Sequence, residues 1–427
     1  MKNSTPITSF SRSKTILKSA LKISSKKAVQ LSKRTFLSTQ EYKEEQEKTD
    51  NEIATILFKN ISLLKGTAVK ITQALALHNM LPKSMQKELS KSYNQIEPIN
   101  QALVMKVIQN EFKKPYFELF KEFDLKPFAS ASLGQVHLAT TYKEKIVAVK
   151  IQYPSIDKTI QNDIKLIKKF TKFKKSIKPI IKEVEERLYE EIDYTKEMQN
   201  TLWAYDAFNT KDVVVPKVYK KYSTKHILTT SFIEGIDLYS WLSHNPTQKE
   251  KNRVANTIFN VFVESIFDHH KIQADPNPAN YIVTPQNKLA LIDFGCIKSF
   301  DSKFIQNYIN IFRVYRSSNK EEVLNLYKKM GFIKSVKDIN ETTFKNKILP
   351  FNSWAIEPFL HDEYKFTKEY LDEGVKYADM FVNTPFIVIQ DFVFLDRTSH
   401  GLFSLFEQMD VVISMKRFRE HLKFHQF

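Results

Sequence analysis

Asp275 and Asn280 stand five residues apart in Asp275-Pro276-Asn277-Pro278-Ala279-Asn280, and Asp293 follows thirteen residues later in Asp293-Phe294-Gly295. A carboxylate and an amide carbonyl are the oxygen ligands that a hard cation such as Mg²⁺ takes, and such a cation shares its remaining positions with the phosphates of ATP. Asn280 and Asp293 are therefore the candidate metal ligands. Asp275 lies where a hydroxyl or a water would be oriented for attack. The spacing points to phosphoryl chemistry on a metal-bound nucleotide. Asp-Phe-Gly alone is a weak signal; its order after Asp-x-x-x-x-Asn, in a strand context, is what raises it.

The elements that must position these residues are legible on either side. Two apolar runs, Tyr281-Ile282-Val283 and Leu289-Ala290-Leu291-Ile292, flank Thr284-Pro285-Gln286-Asn287-Lys288 and predict a β-hairpin. That hairpin places Asn280 and Asp293 at adjacent strand ends. Far upstream, residues 145–152 read as a β-branched strand carrying Val147-Ala148-Val149-Lys150, the pattern of a lysine that pairs the α- and β-phosphates of ATP. Such a lysine needs a carboxylate to fix it. Glu190, Glu191 and Glu197 are the candidates, and periodicity does not choose among them. The seven glycines are too dispersed for a Gly-x-Gly-x-x-Gly loop. Where that loop would stand, one strand before Lys150, are Ala129, Ser130, Ala131 and Ser132. Their small side chains let a backbone approach phosphates, and the hydroxyls can donate to them. Without glycine the loop has fewer accessible backbone states, so it should cradle nucleotide differently.

From about Leu63 to Ile297 these ordered motifs resemble the UbiB-type atypical kinases, also called aarF-domain-containing kinases, with a weaker echo at Leu395-Asp396-Arg397. The family's alanine-rich loop is matched by residues 129–132, its Val-Ala-Val-Lys by residues 147–150, and its Glu-x-Asp-Tyr-x-x-Glu by Glu191, Asp193, Tyr194 and Glu197. Its N-terminal Lys-x-Gly-Gln has a counterpart in Lys70-Ile71-Thr72-Gln73. The resemblance implies an α+β, bilobal protein-kinase-like fold with an N-terminal helical extension. It implies that Lys150 holds phosphates and pairs with Glu191, that Glu197 supports that network, and that Asp275 is the catalytic-loop aspartate. Asn280 and Asp293 would then hold Mg²⁺. Lys70 and Gln73, three apart and so on one helical face, would fold over the nucleotide site. The resemblance implies an ATPase, or a phosphotransferase acting on a small lipid-like compound, rather than an ordinary peptide kinase. It also implies a link to biosynthesis of ubiquinone or related isoprenoid lipids at membranes. This chain departs from the family at four positions. The glycine of Lys-x-Gly-Gln is Thr72, whose β-branch limits close packing. Both histidines of His-x-Asp-Pro-His-Pro-Gly-Asn are replaced, by Gln273 and Asn277, and its glycine is Ala279, which disfavours positive φ.

Composition agrees with a folded chain: 427 residues, 42% apolar, with 33 Phe and 18 Tyr, enough for one bilobal core plus extensions. Cys296 is the only cysteine, so no intrachain disulfide forms and a reducing compartment is the natural fit. Over half of the net charge of +17 falls in residues 1–40, which hold nine Lys or Arg and no acid. Leu17, Ala20, Leu21, Ala28 and Leu31 approximate one helical stripe there, so the segment reads as binding an anionic lipid surface. A mitochondrial transit peptide is the rival reading, although only Arg12 and Arg34 supply arginine. No eighteen-residue apolar run exists, so a cytoplasmic protein peripherally attached to a membrane is expected. No motif supports a nucleic-acid partner. Residues 1–50 read as a basic flexible segment, 51–127 as a helical extension, 128–235 as the strand-rich lobe and 236–427 as the helical lobe. Strands are expected at 133–141, 146–153, 213–222 and 227–232. Gly235 is placed in a hinge, and the aromatic stretch 381–406 in the core. ATP or ADP with Mg²⁺ are the expected ligands, and isoprenoid-quinone biosynthesis proteins the expected partners. Two other readings stay open: a nucleotide-binding pseudokinase scaffold and a small-molecule kinase of the aminoglycoside or choline type.

Overall fold

The computed structural model describes residues 99–422 except 132, 171–184, 187, 276, 382–383 and 388. Lys70, Gln73, Ser132 and the basic segment 1–40 lie outside the described residues. By internal contacts the chain divides into two units. One runs to Lys196 and adds Val218–Phe232; the other joins Glu197–Lys217 to Ile233–Phe427. In chain order the strands used below are β1 (Phe120–Phe123), β2 (Ala129–Ala131), β3 (Gly134–Thr141), β4 (Ile146–Gln152), β5 (Val213–Val214), β6 (Ile227–Ser231), β7 (Ile236–Asp237), β8 (Lys271–Gln273), β9 (Tyr281–Val283), β10 (Leu289–Leu291) and β11 (Ile297–Ser299). Ten of the helices among the described residues are numbered in chain order: α1 (Gln101–Phe112), α2 (Ile156–Phe170), α3 (Tyr194–Phe208), α4 (Leu238–Ser243), α5 (Gln248–Phe267), α6 (Ser302–Val314), α7 (Lys320–Met330), α8 (Leu349–Ile356), α9 (Lys368–Phe381) and α10 (Gln390–Met409).

The first unit is built on an antiparallel sheet ordered β1-β3-β4-β6, with β2 paired to β3. Its logic is the two-residue period of β4. Val147, Val149 and Ile151 are fully buried on one face, while Ala148 and Lys150 point to the other. The buried face packs on Val104 and Ile108 of α1 and on Ile227 of β6. Asn100 caps α1, its Oδ1 accepting from the Ala102 amide at 2.8 Å. A buried polar chain ties this helix to the sheet. Ile99 N donates to Gln135 Oε1 at 2.9 Å, Gln135 Nε2 meets His137 Nε2 at 2.9 Å, and His137 Nδ1 meets the Asp124 carbonyl at 2.8 Å. A carbonyl only accepts, so Nδ1 carries the proton and Nε2 accepts from Gln135; His137 is neutral in this arrangement. Burial, partly offset by the Asp124 carbonyl, holds its pKa below the usual imidazole value.

One expected strand is cut short. Instead of running through 213–222, the extended segment stops at Val214. Pro216 has no N–H to give a ladder, so past it Val218 makes only an isolated bridge to Thr230 and residues 220–222 form a 3₁₀ turn.

The second unit holds a sheet ordered β5-β10-β9-β7, parallel between β5 and β10 and otherwise antiparallel, and the separate pair β11-β8. Helix α5 begins in a capping box between Thr247 and Glu250 and buries Val254, Ala255, Ile258, Phe259, Phe262, Val263 and Ile266. Phe394, Phe403 and Phe406 of α10 pack in the same core, as expected for that aromatic stretch. Gly235 has φ +156°, and a Cβ there would stand 2.6 Å from the Val283 carbonyl, so the position requires glycine. Among the described residues no helix is long and apolar enough to cross a membrane.

Candidate nucleotide and metal site

The predicted hairpin forms: β9 and β10 pair in register, Tyr281 opposite Leu291 and Val283 opposite Leu289. Thr284 closes the turn, its N donating to the Lys288 carbonyl at 3.0 Å, with Asn287 at φ +58°. Beyond the ladder the Ile292 amide donates to the Asn280 carbonyl at 3.2 Å, so Asn280 and Asp293 do lie at neighbouring strand ends. A second ladder brings in Asp275. Strand β8, which leads into it, runs antiparallel to β11, which follows Gly295, and the Ala274 amide donates to the Cys296 carbonyl at 2.8 Å. Three short segments of the second unit thus carry Asp275, Asn280 and Asp293 to one place.

Hydrogen bonds fix how these side chains face. Asn280, 9% exposed, donates Nδ2 to the Asp275 carbonyl at 3.2 Å, which leaves its Oδ1 as the atom to offer a cation. The Gly295 amide donates to Asp293 Oδ1 at 2.9 Å. Gln273 Nε2 donates to the Asp293 carbonyl, and Asn200 Nδ2, from α3, to the Phe294 carbonyl at 3.0 Å. Glu197, also on α3, is buried, and its carboxylate approaches the same loop. A Cβ built on Gly295 would stand 3.2 Å from Asp293 Oδ1 and 3.7 Å from Glu197 Oε2. The Tyr281 hydroxyl is pushed up by burial and further by the charge of Asp275, so it stays protonated. The loop from Asp275 to Asn280 needs no glycine. Asn277 Oδ1 accepts from the Ala279 amide at 3.1 Å, capping a 3₁₀ turn, and none of its described residues has positive φ.

This donor set fits Mg²⁺: one amide oxygen and one carboxylate, both hard. Among the described residues no three His, Cys, Asp or Glu side chains converge as a complete cage, so nucleotide oxygens and water would complete the coordination.

Lys150, Glu191 and the small-residue loop belong to the first unit. Ala129, Ser130 and Ala131 pair antiparallel with Val136, Gln135 and Gly134. Lys150 sits opposite Val136 on β4, and its Nζ lies 5.1 Å from the ring centroid of buried Tyr194. Glu191, at the end of the helical turn before Asp193, is half-buried, and Gln152 Nε2 anchors the neighbouring Ile192 carbonyl at 2.8 Å. Gln273, Asn200 and Tyr194 are the site residues that motif reading missed. Gln273 and Tyr194 stood within quoted motifs, and Asn200 lies three residues after Glu197 on one helical face.

The ABC1 atypical kinase-like domain matches residues 91–327, more than half of the chain. The chain is 28% identical over 329 residues to "Probable serine/threonine-protein kinase abkA" of Dictyostelium discoideum, covering 72% of this chain and 57% of that protein. It is 28% identical over 296 residues to "Atypical kinase COQ8, mitochondrial" of Saccharomyces cerevisiae, covering 67% and 58%. Against "Protein ACTIVITY OF BC1 COMPLEX KINASE 8, chloroplastic" of Arabidopsis thaliana it is 28% identical over 302 residues, covering 67% and 40%. The matched region therefore spans between 40% and 58% of these relatives' lengths. The solved complex of Rv3197 with erythromycin from Mycobacterium tuberculosis has the same fold, with TM-score 0.64 at 22% identity over 90% of this chain and 98% of that one. With the fold kinase-like and the domain matched over most of the described strands, the chain belongs to the ABC1 atypical kinase-like family.

Proposed function

We propose that this protein binds ATP with Mg²⁺ and acts as an ATPase or as a phosphotransferase on a small, lipid-like acceptor. The observation that carries the reading is the convergence of Asp275, Asn280 and Asp293 through two antiparallel ladders in one unit. In this reading Asn280 Oδ1 and the Asp293 carboxylate hold the cation, which would neutralise phosphate charge during transfer. Asp275 orients the attacking hydroxyl or water. By the family resemblance Lys150 would pair with Glu191, with Glu197 supporting that network, to hold the α- and β-phosphates, and the small residues 129–132 would border them. Lys70 and Gln73 would exclude peptide substrates. The names of the COQ8 and BC1-complex relatives support a role in ubiquinone or related isoprenoid lipid biosynthesis, and their mitochondrial and chloroplastic labels favour an organelle over the cytoplasm. Residues 1–40 would attach the protein to an anionic membrane surface.

The test is nucleotide binding by thermal shift, with ATP and ADP, with and without Mg²⁺, followed by phosphate release with anionic liposomes. Mg²⁺-dependent stabilisation that disappears in Asp293→Asn is expected. Unchanged binding in that variant refutes the site, and binding without any turnover assigns the protein to the scaffold reading.

A further inference from the structure

The Asp-Phe-Gly loop, between β10 and β11, lies outside regular secondary structure, and the carbonyls of Asp293, Phe294 and, just after it, Cys296 are each taken by a donor from another segment. Asp293 O receives Gln273 Nε2 and Phe294 O receives Asn200 Nδ2 at 3.0 Å. Cys296 O receives the Ala274 amide at 2.8 Å, and at the other end the Ile292 amide reaches Asn280 O. The two side-chain donors come from different elements, β8 and α3, and each is a carboxamide. Both meet the loop beside the one carboxylate whose own orientation is set internally, by the Gly295 amide on Oδ1. We propose that Gln273 and Asn200 are positioning residues that clamp the backbone on which Asp293 is carried, and so set the orientation of its carboxylate towards a phosphate-bound divalent cation. This rests on the proposed function for what the carboxylate does, but not for the clamp itself.

The choice of residue has a consequence. Gln273 stands where the family's loop is written with histidine, whose charge and donor count change between about pH 5 and 8. A carboxamide donates identically across that range, so the hold on Asp293 contains no titrating member. Lys271 shares the strand of Gln273, Asp275 follows it by two residues, and Asp293 is the residue whose carbonyl it holds.

Gln273→Leu and Asn200→Leu are the test, because each keeps the bulk of the side chain and removes the donor. The Mg²⁺ concentration needed for half-maximal ATP binding should rise by about 2- to 12-fold in each, the loss of one hydrogen bond, while ATP binding measured without Mg²⁺ stays as in wild type. If both variants need no more Mg²⁺ than wild type, or if they weaken Mg²⁺-free and Mg²⁺-dependent binding alike, the clamp is overturned. Should wild-type protein show no Mg²⁺-dependent binding, the proposed function fails on its own. The clamp is then read from hydrogen exchange at the Gly295 amide, which must be faster in Gln273→Leu than in wild type. Equal exchange overturns it.

Discussion

Gly134 is where a single methyl group should do the most damage for its size. It begins β3, opposite Gln152, and a Cβ there would stand 2.4 Å from the Ile151 carbonyl oxygen, 3.1 Å from its carbon and 2.8 Å from the Tyr194 hydroxyl. The first two obstacles are backbone of the neighbouring strand, so no rotamer change relieves them. Bringing the closest contact out to 3.0 Å requires about 0.6 Å of strand displacement in an interior packed without slack. Overpacking of this kind costs roughly 1–3 kcal/mol, against a gain of about 0.4–1 kcal/mol from the stiffer unfolded chain, so Gly134→Ala should be destabilising on balance. The same methyl presses on Tyr194, whose ring lies under Lys150 Nζ, so ATP affinity should fall together with stability. Hydrogen exchange of the β3 and β4 amides is the suitable assay, since it reads this sheet without assuming that both units unfold together. Their protection should fall by up to about 150-fold, the equivalent of 3 kcal/mol. Gly331→Ala is the contrasting control: φ is +89° but the nearest atom to its Cβ is 3.9 Å away, so only the left-handed backbone term of about 1 kcal/mol applies. If Gly134→Ala is as well protected as wild type, the steric reasoning is wrong.

The other expectations are quickly stated. Asn319 caps α7 through its Oδ1, which accepts from the amides of Glu321 and Glu322 at 3.0 and 3.2 Å. Asn319→Ala should lower stability by about 1 kcal/mol, read as a shift of the urea midpoint with unchanged slope. Burial lowers the pKa of His137, so between its folded value and about 6.5 the unfolded chain binds the extra proton. Stability should therefore be complete above about pH 6.5 and fall as the pH drops towards the folded value, and His137→Leu should flatten that part of the urea-midpoint profile. Deleting residues 1–40 should reduce co-sedimentation with anionic liposomes but not with neutral ones; equal sedimentation on both would remove the membrane role from that segment.

How much of this could be read in advance depends on whether the decisive contact was local. The β9–β10 hairpin was legible because two apolar runs bracket a turn containing Pro285 and Asn287, and the strand of Lys150 because its β-branched residues alternate. The strand expected over 213–222 instead stops at Val214, because the missing N–H of Pro216 outweighs the valines around it. Gln273 and Asn200 were not legible either. Asn200 and the carbonyl it holds are 94 positions apart, and nothing in either sequence neighbourhood specifies that α3 should pass beside the Asp-Phe-Gly loop. Glu197 was one of three equal candidates by periodicity, and it is burial beside Gly295 that distinguishes it.

The three departures from the family's catalytic loop fit together when their hydrogen bonds are followed. Asn277 caps the turn through Ala279 N and accepts the Asn280 amide on its own carbonyl at 2.9 Å, while Pro278 supplies the fixed φ at the turn's first position. A turn built this way runs through ordinary right-handed and extended backbone, so alanine at 279 costs nothing that glycine would spare. The turn delivers Asn280 with Nδ2 on the Asp275 carbonyl and Oδ1 turned away from it. On the other flank, Gln273 replaces a titratable ring with an amide that holds Asp293. Each replaced histidine has become a carboxamide that makes a defined bond, and the lost glycine sits where no positive φ is needed. Random decay of an idle loop would leave unsatisfied polar atoms in some of these places. Their mutual satisfaction is the physical reason to expect that the site still holds a nucleotide and its cation.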